Sequence, residues 1–200
     1  MQLDQDKRGF SFMKEGPLDM RMNVEGAVTA AEVVNTWSES ELGTLFRDLG
    51  EEPKWRVAAQ AVVRARRKKH FQTTTELAAT LSEAMPGKKR GKLHPATLVF
   101  QAIRMCVNRE LESIQEGLQK ALKHLNKEGR IGVISFHSFE DGLVKNIFRE
   151  AARPIKDMET QDKKRLFELI TKKPLVPTPE EVRQNRRSRS AKFRALARVD

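Results

Sequence analysis

Apolar residues recur at helical spacing in three short stretches of the first half of the chain. Ser38 precedes a stripe of Leu42, Leu45, Phe46 and Leu49, with Gly50 as a stop. Pro53 precedes Trp55, Ala58, Ala59, Val62 and Val63. Thr73 precedes Leu77, Leu81 and Met85, and Pro86-Gly87 closes that stripe. Thr29 with Glu32, Ser38 with Glu41 and Thr73 with Glu76 have capping-box spacing. Helices this short are marginal alone, so the pattern predicts a helical subdomain over 29–93, ending in a basic linker at 88–94. Pro95 then opens the longest predicted helix. Phe100, Ile103, Val107, Leu111, Ile114, Leu118, Leu122 and Leu125 recur through about seven turns, at 3.6 residues per turn, before a turn at Asn126 to Gly129.

The pattern changes at Ile131-Gly132-Val133-Ile134-Ser135-Phe136, a nearly continuous apolar run. After a long helix and a glycine turn, it predicts a strand buried on both faces, inside a parallel sheet. His137 to Asp141 form a polar turn leading into a helix with Leu143, Val144, Ile147 and Phe148. Ligands of such sheets sit beyond the carboxyl ends of the strands, where this turn lies. Leu166–Thr171 and Phe193–Val199 are further candidate strands, the second alternating and so expected to be exposed on one face. Between them Pro174, Pro177 and Pro179 open a loop that ends in a basic run. The first 28 residues show no period and read as a tail, or as a segment packed against something outside the chain. No strand candidate precedes residue 131, so part of the sheet is expected to be missing.

Composition adds a partner class. The chain has 38 Lys+Arg against 27 Asp+Glu, a net charge of +11 over 200 residues. That balance points to a polyanion, nucleic acid before membrane. No run approaches the ~18 apolar residues of a membrane span. The amino-terminal residues lack a secretory pattern, and Cys106 is the only cysteine, which fits a reducing cytoplasm. Four scattered His and one Cys show no metal-ligand spacing.

Four runs carry a resemblance: Arg8-Gly-Phe-Ser-Phe-Met-Lys-Glu-Gly-Pro-Leu-Asp-Met-Arg-Met22; Thr29-Ala-Ala-Glu-Val-Val-Asn35; His94-Pro-Ala-Thr97 with Phe100-Gln-Ala-Ile-Arg104 and Val107-Asn108; and Gly129 to Asp141. Together they resemble the bacterial small-subunit ribosomal RNA cytosine-N4 methyltransferases, the RsmH/MraW family, from Gln2 to the last residues. The resemblance implies an α/β fold, the carboxyl-terminal part of a Rossmann-like class I methyltransferase sheet with an all-helical insertion. It divides the chain into an active-site-side loop (1–28), the insertion (29–93) and the Rossmann-like part (94–200). It implies S-adenosylmethionine as cofactor and 16S rRNA of the small ribosomal subunit as partner. The family's glycine-rich cofactor loop and its acidic ribose-binding residue have no counterpart here. Gln2 is the one cofactor contact that carries over. Phe139 stands where leucine is usual, and Gly142 where a basic residue is usual. An incomplete enzyme lacking an amino-terminal half, one half of a split enzyme, and a non-catalytic RNA-binding module are the open readings.

Candidate site residues follow. His137, Ser138, Glu140 and Asp141 are placed for catalysis at a strand end, and equally for capping the next helix. The family's loop approaches the active site, which adds Asp19 as a catalytic and Arg21 as an RNA-binding candidate; the bland alternative is a loop ion pair. Arg64, Arg66, Arg67, Lys68 and Lys69, and Arg183, Arg186, Arg187, Arg189 and Lys192, are candidate RNA-phosphate contacts, although a charge run is most often a solvated face. Phe10 and Phe12 are candidates for stacking or for burial, and His94 for a helix entry.

Overall fold

A computed structural model describes residues 8–86, 94–156 and 163–200. Gln2 and most of the basic linker at 88–94 lie outside the described residues. The chain forms two compact units, Met1–Glu110 and Leu111–Asp200.

The first unit is helical: α1 (Ala30–Thr36), α2 (Glu39–Asp48), α3 (Trp55–Arg66), α4 (Thr74–Ala84) and α5 (Thr97–Val107). The three capping pairs do what their spacing predicts. Thr29 accepts from the Glu32 N–H, while Ser38–Glu41 and Thr73–Glu76 form reciprocal capping boxes. Each helix buries one stripe, and Val33, Val34, Leu42, Phe46, Val62, Leu77, Leu81 and Ile103 are fully enclosed. Helix α5 packs on α1 and α2, and this compact unit extends to Glu110.

Residues 8–28 are irregular, as expected, but they are not a free tail. They are strapped onto the unit's own helices. The Leu18 N–H donates to the Gln72 carbonyl (2.9 Å), and the Ala30 and Ala31 N–H groups donate to the Asp19 and Leu18 carbonyls. Leu18 and Met20 are buried. A β-carbon at Gly9, whose φ is +68°, would collide with the Pro17 carbonyl, so the close crossing of these strands of loop needs glycine.

The long helix predicted from Pro95 to Leu125 is two helices, α5 and α6 (Glu110–His124). The break is at Asn108 and Arg109, the latter left-handed at φ 47°. The Asn108 side chain donates to the Met20 carbonyl (2.8 Å) and accepts from the Met22 N–H (2.6 Å), bonds that fix the residue as an anchor for the strapped segment.

Glu76 closes the cap of α4 by accepting from the Gln72 and Thr73 N–H groups and from Lys69 Nζ (2.6 Å). The Lys69 bond first, then the two amides, lower its carboxyl from 4.5 to about 2. A depressed folded pKa stabilises above the unfolded value and is lost as pH falls through the folded one. Glu76→Gln is therefore expected to flatten the decline of the unfolding midpoint between about pH 4.5 and 2, followed by urea titration across that range.

The second unit holds α6, β1 (Arg130–Ser135), α7 (Ser138–Ala151), β4 (Phe167–Leu169), α8 (Pro179–Gln184), a 3-10 helix (Arg186–Ser190) and β5 (Lys192–Arg198). A separate short pair, β2 (Ile155–Lys156) with β3 (Lys163–Lys164), is antiparallel. The main sheet has the order β1-β5-β4 and both pairings are antiparallel, with Val133 opposite Arg194 and Leu169 opposite Leu196. Helices α6 and α7 cover one face through Leu118, Val144 and Phe148, which meet Leu196, Ile131 and Val133.

Two strand expectations are corrected. Strand β1 is an edge strand in an antiparallel pair, buried on one face only, with Ile131, Val133 and Ser135 inward and Ile134 60% exposed. Gly132 on its outer face lies beneath the Phe193 ring, which leaves no room for a side chain there. The alternating strand β5 is the central one, and its middle residues Arg194, Ala195 and Leu196 are all buried. The loop expected after Pro174 contains α8 and the 3-10 helix, because Thr178 caps and Pro179 fits a first turn. Among the described residues no helix is long and apolar enough to cross a membrane.

Candidate functional site

The polar turn at the carboxyl end of β1 is a built structure. His137 is the N-cap of α7, with Nδ1 accepting from the Glu140 N–H (3.4 Å). Glu140 reaches back and accepts from the Phe136 N–H (2.8 Å). His137 Nε2 lies 3.2 Å from the other Glu140 oxygen, without hydrogen-bond geometry, and has no hydrogen-bond partner among the described residues. Burial pushes the Glu140 carboxyl up, but the nearby His137 and the Phe136 N–H outweigh it, and the net shift is downward. His137 and Glu140 thus make the cap, two of the four residues for which the sequence left that role open. Ser138 is the first helical residue.

Asp141 faces the opposite way, toward β5. Arg194 Nε and Nη2 grip its two carboxylate oxygens at 2.6 and 3.1 Å, and Lys192 Nζ stands at 3.4 Å. The Arg194 bond, opposed by burial, holds the Asp141 carboxyl below its ordinary value of 3.8. Arg194 is the residue that sequence reasoning missed. Its signal was available: it shares a strand face with the apolar Leu196, two residues on.

In the first unit, Asp19 and Arg21 form the loop ion pair. Arg21 Nε and Nη2 each lie 2.8 Å from one Asp19 oxygen, and Nη1 donates to the Val24 and Gly26 carbonyls. The Arg21 bond lowers the Asp19 pKa against the effect of burial. Of the Arg64 to Lys69 run, Arg66 donates to the Val34 carbonyl (2.7 Å) and Lys69 is tied to Glu76. Arg64, Arg67 and Lys68 are exposed. Phe12 stacks on His94 with ring centroids 4.6 Å apart and meets Phe100 edge-on, while Phe10 is half-buried against the same core.

Arg183, Arg186 and Arg189 are brought together. With Val182 and Ser190 they line a hollow of about 500 Å³. A second, more apolar hollow of about 260 Å³ lies between Ile134, Leu175, Val176, Pro177 and Phe193, with Glu181 and Ala191 completing its lining.

The site and fold define a basic, mixed α/β chain with a structured turn at a strand's carboxyl end and an arginine-lined hollow. Comparison with known proteins agrees with that class: the chain belongs to the MraW methylase family, whose model matches residues 1–199. It is 50% identical to the ribosomal RNA small subunit methyltransferase H of Protochlamydia amoebophila over 207 aligned residues, covering 100% of this chain and 65% of that protein. It is also 50% identical to the protein of the same name from Carboxydothermus hydrogenoformans, covering 99% of this chain and 65% of the relative. The chain thus spans about two thirds of the length of these relatives.

Proposed function

We propose that this chain works in the S-adenosylmethionine-dependent N4-methylation of a cytidine in 16S rRNA, as the RNA-facing, sheet-completing part of a Rossmann-like methyltransferase. The observation that carries this reading is the 50% identity, along the whole chain, to relatives named as small-subunit rRNA methyltransferases.

The described residues do not fit the methyl donor. The arginine-lined hollow repels a sulfonium cation, and the apolar hollow has no glycine-rich turn against which a cofactor's backbone contacts could form. The family resemblance carries over only one cofactor contact to this chain, Gln2. The free edge of β1, with Ile134 and Phe136 60% and 52% exposed beside it, is the natural seat for further strands.

What this chain supplies to the chemistry lies at the carboxyl end of β1. An exocyclic amine that takes up a methyl group must lose a proton, and its orientation matters more than the strength of the acceptor. Glu140 is kept ionised by its bonds and is the acceptor in this reading. His137 Nδ1 accepts from the Glu140 N–H and its Nε2 is buried, so the ring holds Glu140 in place and does not itself reach the base. Asp141 has both oxygens engaged by Arg194 and serves to position α7.

The test is incubation of the 200-residue chain with radiolabelled S-adenosylmethionine and small-subunit RNA. No methyl incorporation above background is expected, with RNA retained in a salt-sensitive manner. Incorporation well above background would sink the claim that the donor site is not built by these residues. A non-catalytic RNA-binding module is the second reading, favoured by the arginine-lined hollow. Recovery of donor binding on co-expression with the upstream segment of a relative would decide against it.

A further inference from the structure

Several of the basic side chains singled out in the sequence are engaged within the protein. Arg21 is spent on Asp19 and two carbonyls, Arg66 on Val34, Lys69 on Glu76, and Lys192 faces Asp141. Arg183, Arg186 and Arg189, like the exposed Arg64, Arg67 and Lys68, have no partner among the described residues, and what sets them apart is that they converge on one hollow.

The backbone sets this convergence. Arg183 lies in the last turn of α8, and Arg186 and Arg189 lie in the 3-10 helix that follows. In a 3-10 helix residues i and i+3 eclipse one another, so Arg186 and Arg189 stand in one column. The turn is pinned from within. Asn185 Oδ1 accepts from the Arg187 N–H (3.1 Å), and the buried Ser188 hydroxyl donates to the Asn185 carbonyl (2.8 Å). Like charges held at one hollow repel each other, and an anion relieves that repulsion. Guanidinium forks match phosphate oxygens in pairs, and a hollow of about 500 Å³ exceeds a single phosphate group.

We propose that this hollow seats consecutive phosphodiesters of the RNA substrate's backbone. The proposal rests on the rRNA-substrate reading above and narrows it to three side chains. Backbone contacts of this kind fix register and orientation, not sequence.

The test measures binding of a fluorescently labelled RNA oligonucleotide from the small subunit by anisotropy between 50 and 200 mM salt. The triple variant Arg183→Gln/Arg186→Gln/Arg189→Gln is expected to lower the salt slope by about 2–3, at about 0.7–0.9 per phosphate. Across that fourfold change in salt the unmodified chain then loses about 20- to 40-fold more affinity than the variant. The corresponding triple lysine variant keeps the charge and is expected to keep the slope, which separates lost phosphate contact from lost fold. If the unmodified chain binds RNA and the glutamine variant keeps its slope, the hollow is not the seat and the rRNA reading stands. Displacement of RNA by pyrophosphate with that unchanged slope marks a free-anion site and overturns the proposal equally. An unmodified chain with no salt-dependent RNA binding overturns both.

Discussion

Arg194→Leu is expected to destabilise the second unit by about 3–5 kcal/mol, because it strands a buried carboxylate. Arg194 and Asp141 side chains are only 8% and 11% exposed, and two short bonds join them. Removing one partner leaves Asp141 facing the distant Lys192 amine alone, with most of its desolvation uncompensated. The double replacement Asp141→Leu/Arg194→Leu is expected to recover most of the loss, since apolar residues of similar volume substitute well for a buried pair. Amide exchange of β1 and β5 in the single and double variants measures both. A single variant within about 1 kcal/mol of the parent would contradict the assignment of this pair as the pin between α7 and the sheet. The pair also has a defined acid limit. The Asp141 carboxyl is depressed from 3.8, so its contribution is complete above that value and disappears as pH drops through the lower folded value.

Asn108→Ala should cost about 3 kcal/mol, roughly 1 kcal/mol for each of the bonds its side chain makes. These run to the Met20 and Arg104 carbonyls and from the Met22 N–H. Met20 is fully buried with φ at 60°, a conformation that a non-glycine residue keeps only when its surroundings impose it. Loss of the anchor is expected to release residues 18–22 before the helices unfold, seen as early proteolytic cleavage there and fast exchange of the Met20 and Met22 amides. Asn108→Asp keeps an acceptor for Met22 but loses both donated bonds, so it should fall between the parent and the alanine variant. Equal protection of residues 18–22 in all three proteins would remove Asn108 from this role.

Much of the helical unit was readable from residue order, because stripes and capping pairs are local. Ser38 with Glu41 and Thr73 with Glu76 are one turn apart, and a turn either closes or does not. The break at Asn108 was not readable for the converse reason. The apolar stripe runs on from Val107 to Leu111, and a periodic pattern does not register one left-handed residue. The docking of residues 8–28 was hidden because it uses backbone groups and two isolated side chains, Leu18 and Met20, which make no period. In β5, Arg194 drew no attention in the sequence, and its partner 53 positions earlier explains how a charged residue is held on the inward face. The polar turn was placed correctly at a strand end, but four residues were open for its cap, and only the fold picks out His137 with Glu140. Of the basic candidates, sequence supplied the set. Only the fold separates those held by carbonyls and carboxylates from those with no partner among the described residues.

The order β1-β5-β4 bears on how the chain is made. Its middle strand is the last element described, so β1 and β4 have no mutual contact to form and wait for Lys192–Arg198 before either joins a sheet. During synthesis the helices of the first unit have their neighbours at hand as they emerge, while the second unit depends on pairing across some sixty positions, between Ser135 and Lys192 at the nearest. Truncation by a few residues at this end therefore removes far more than those residues: it takes away the common partner that makes two separate ribbons into one layer.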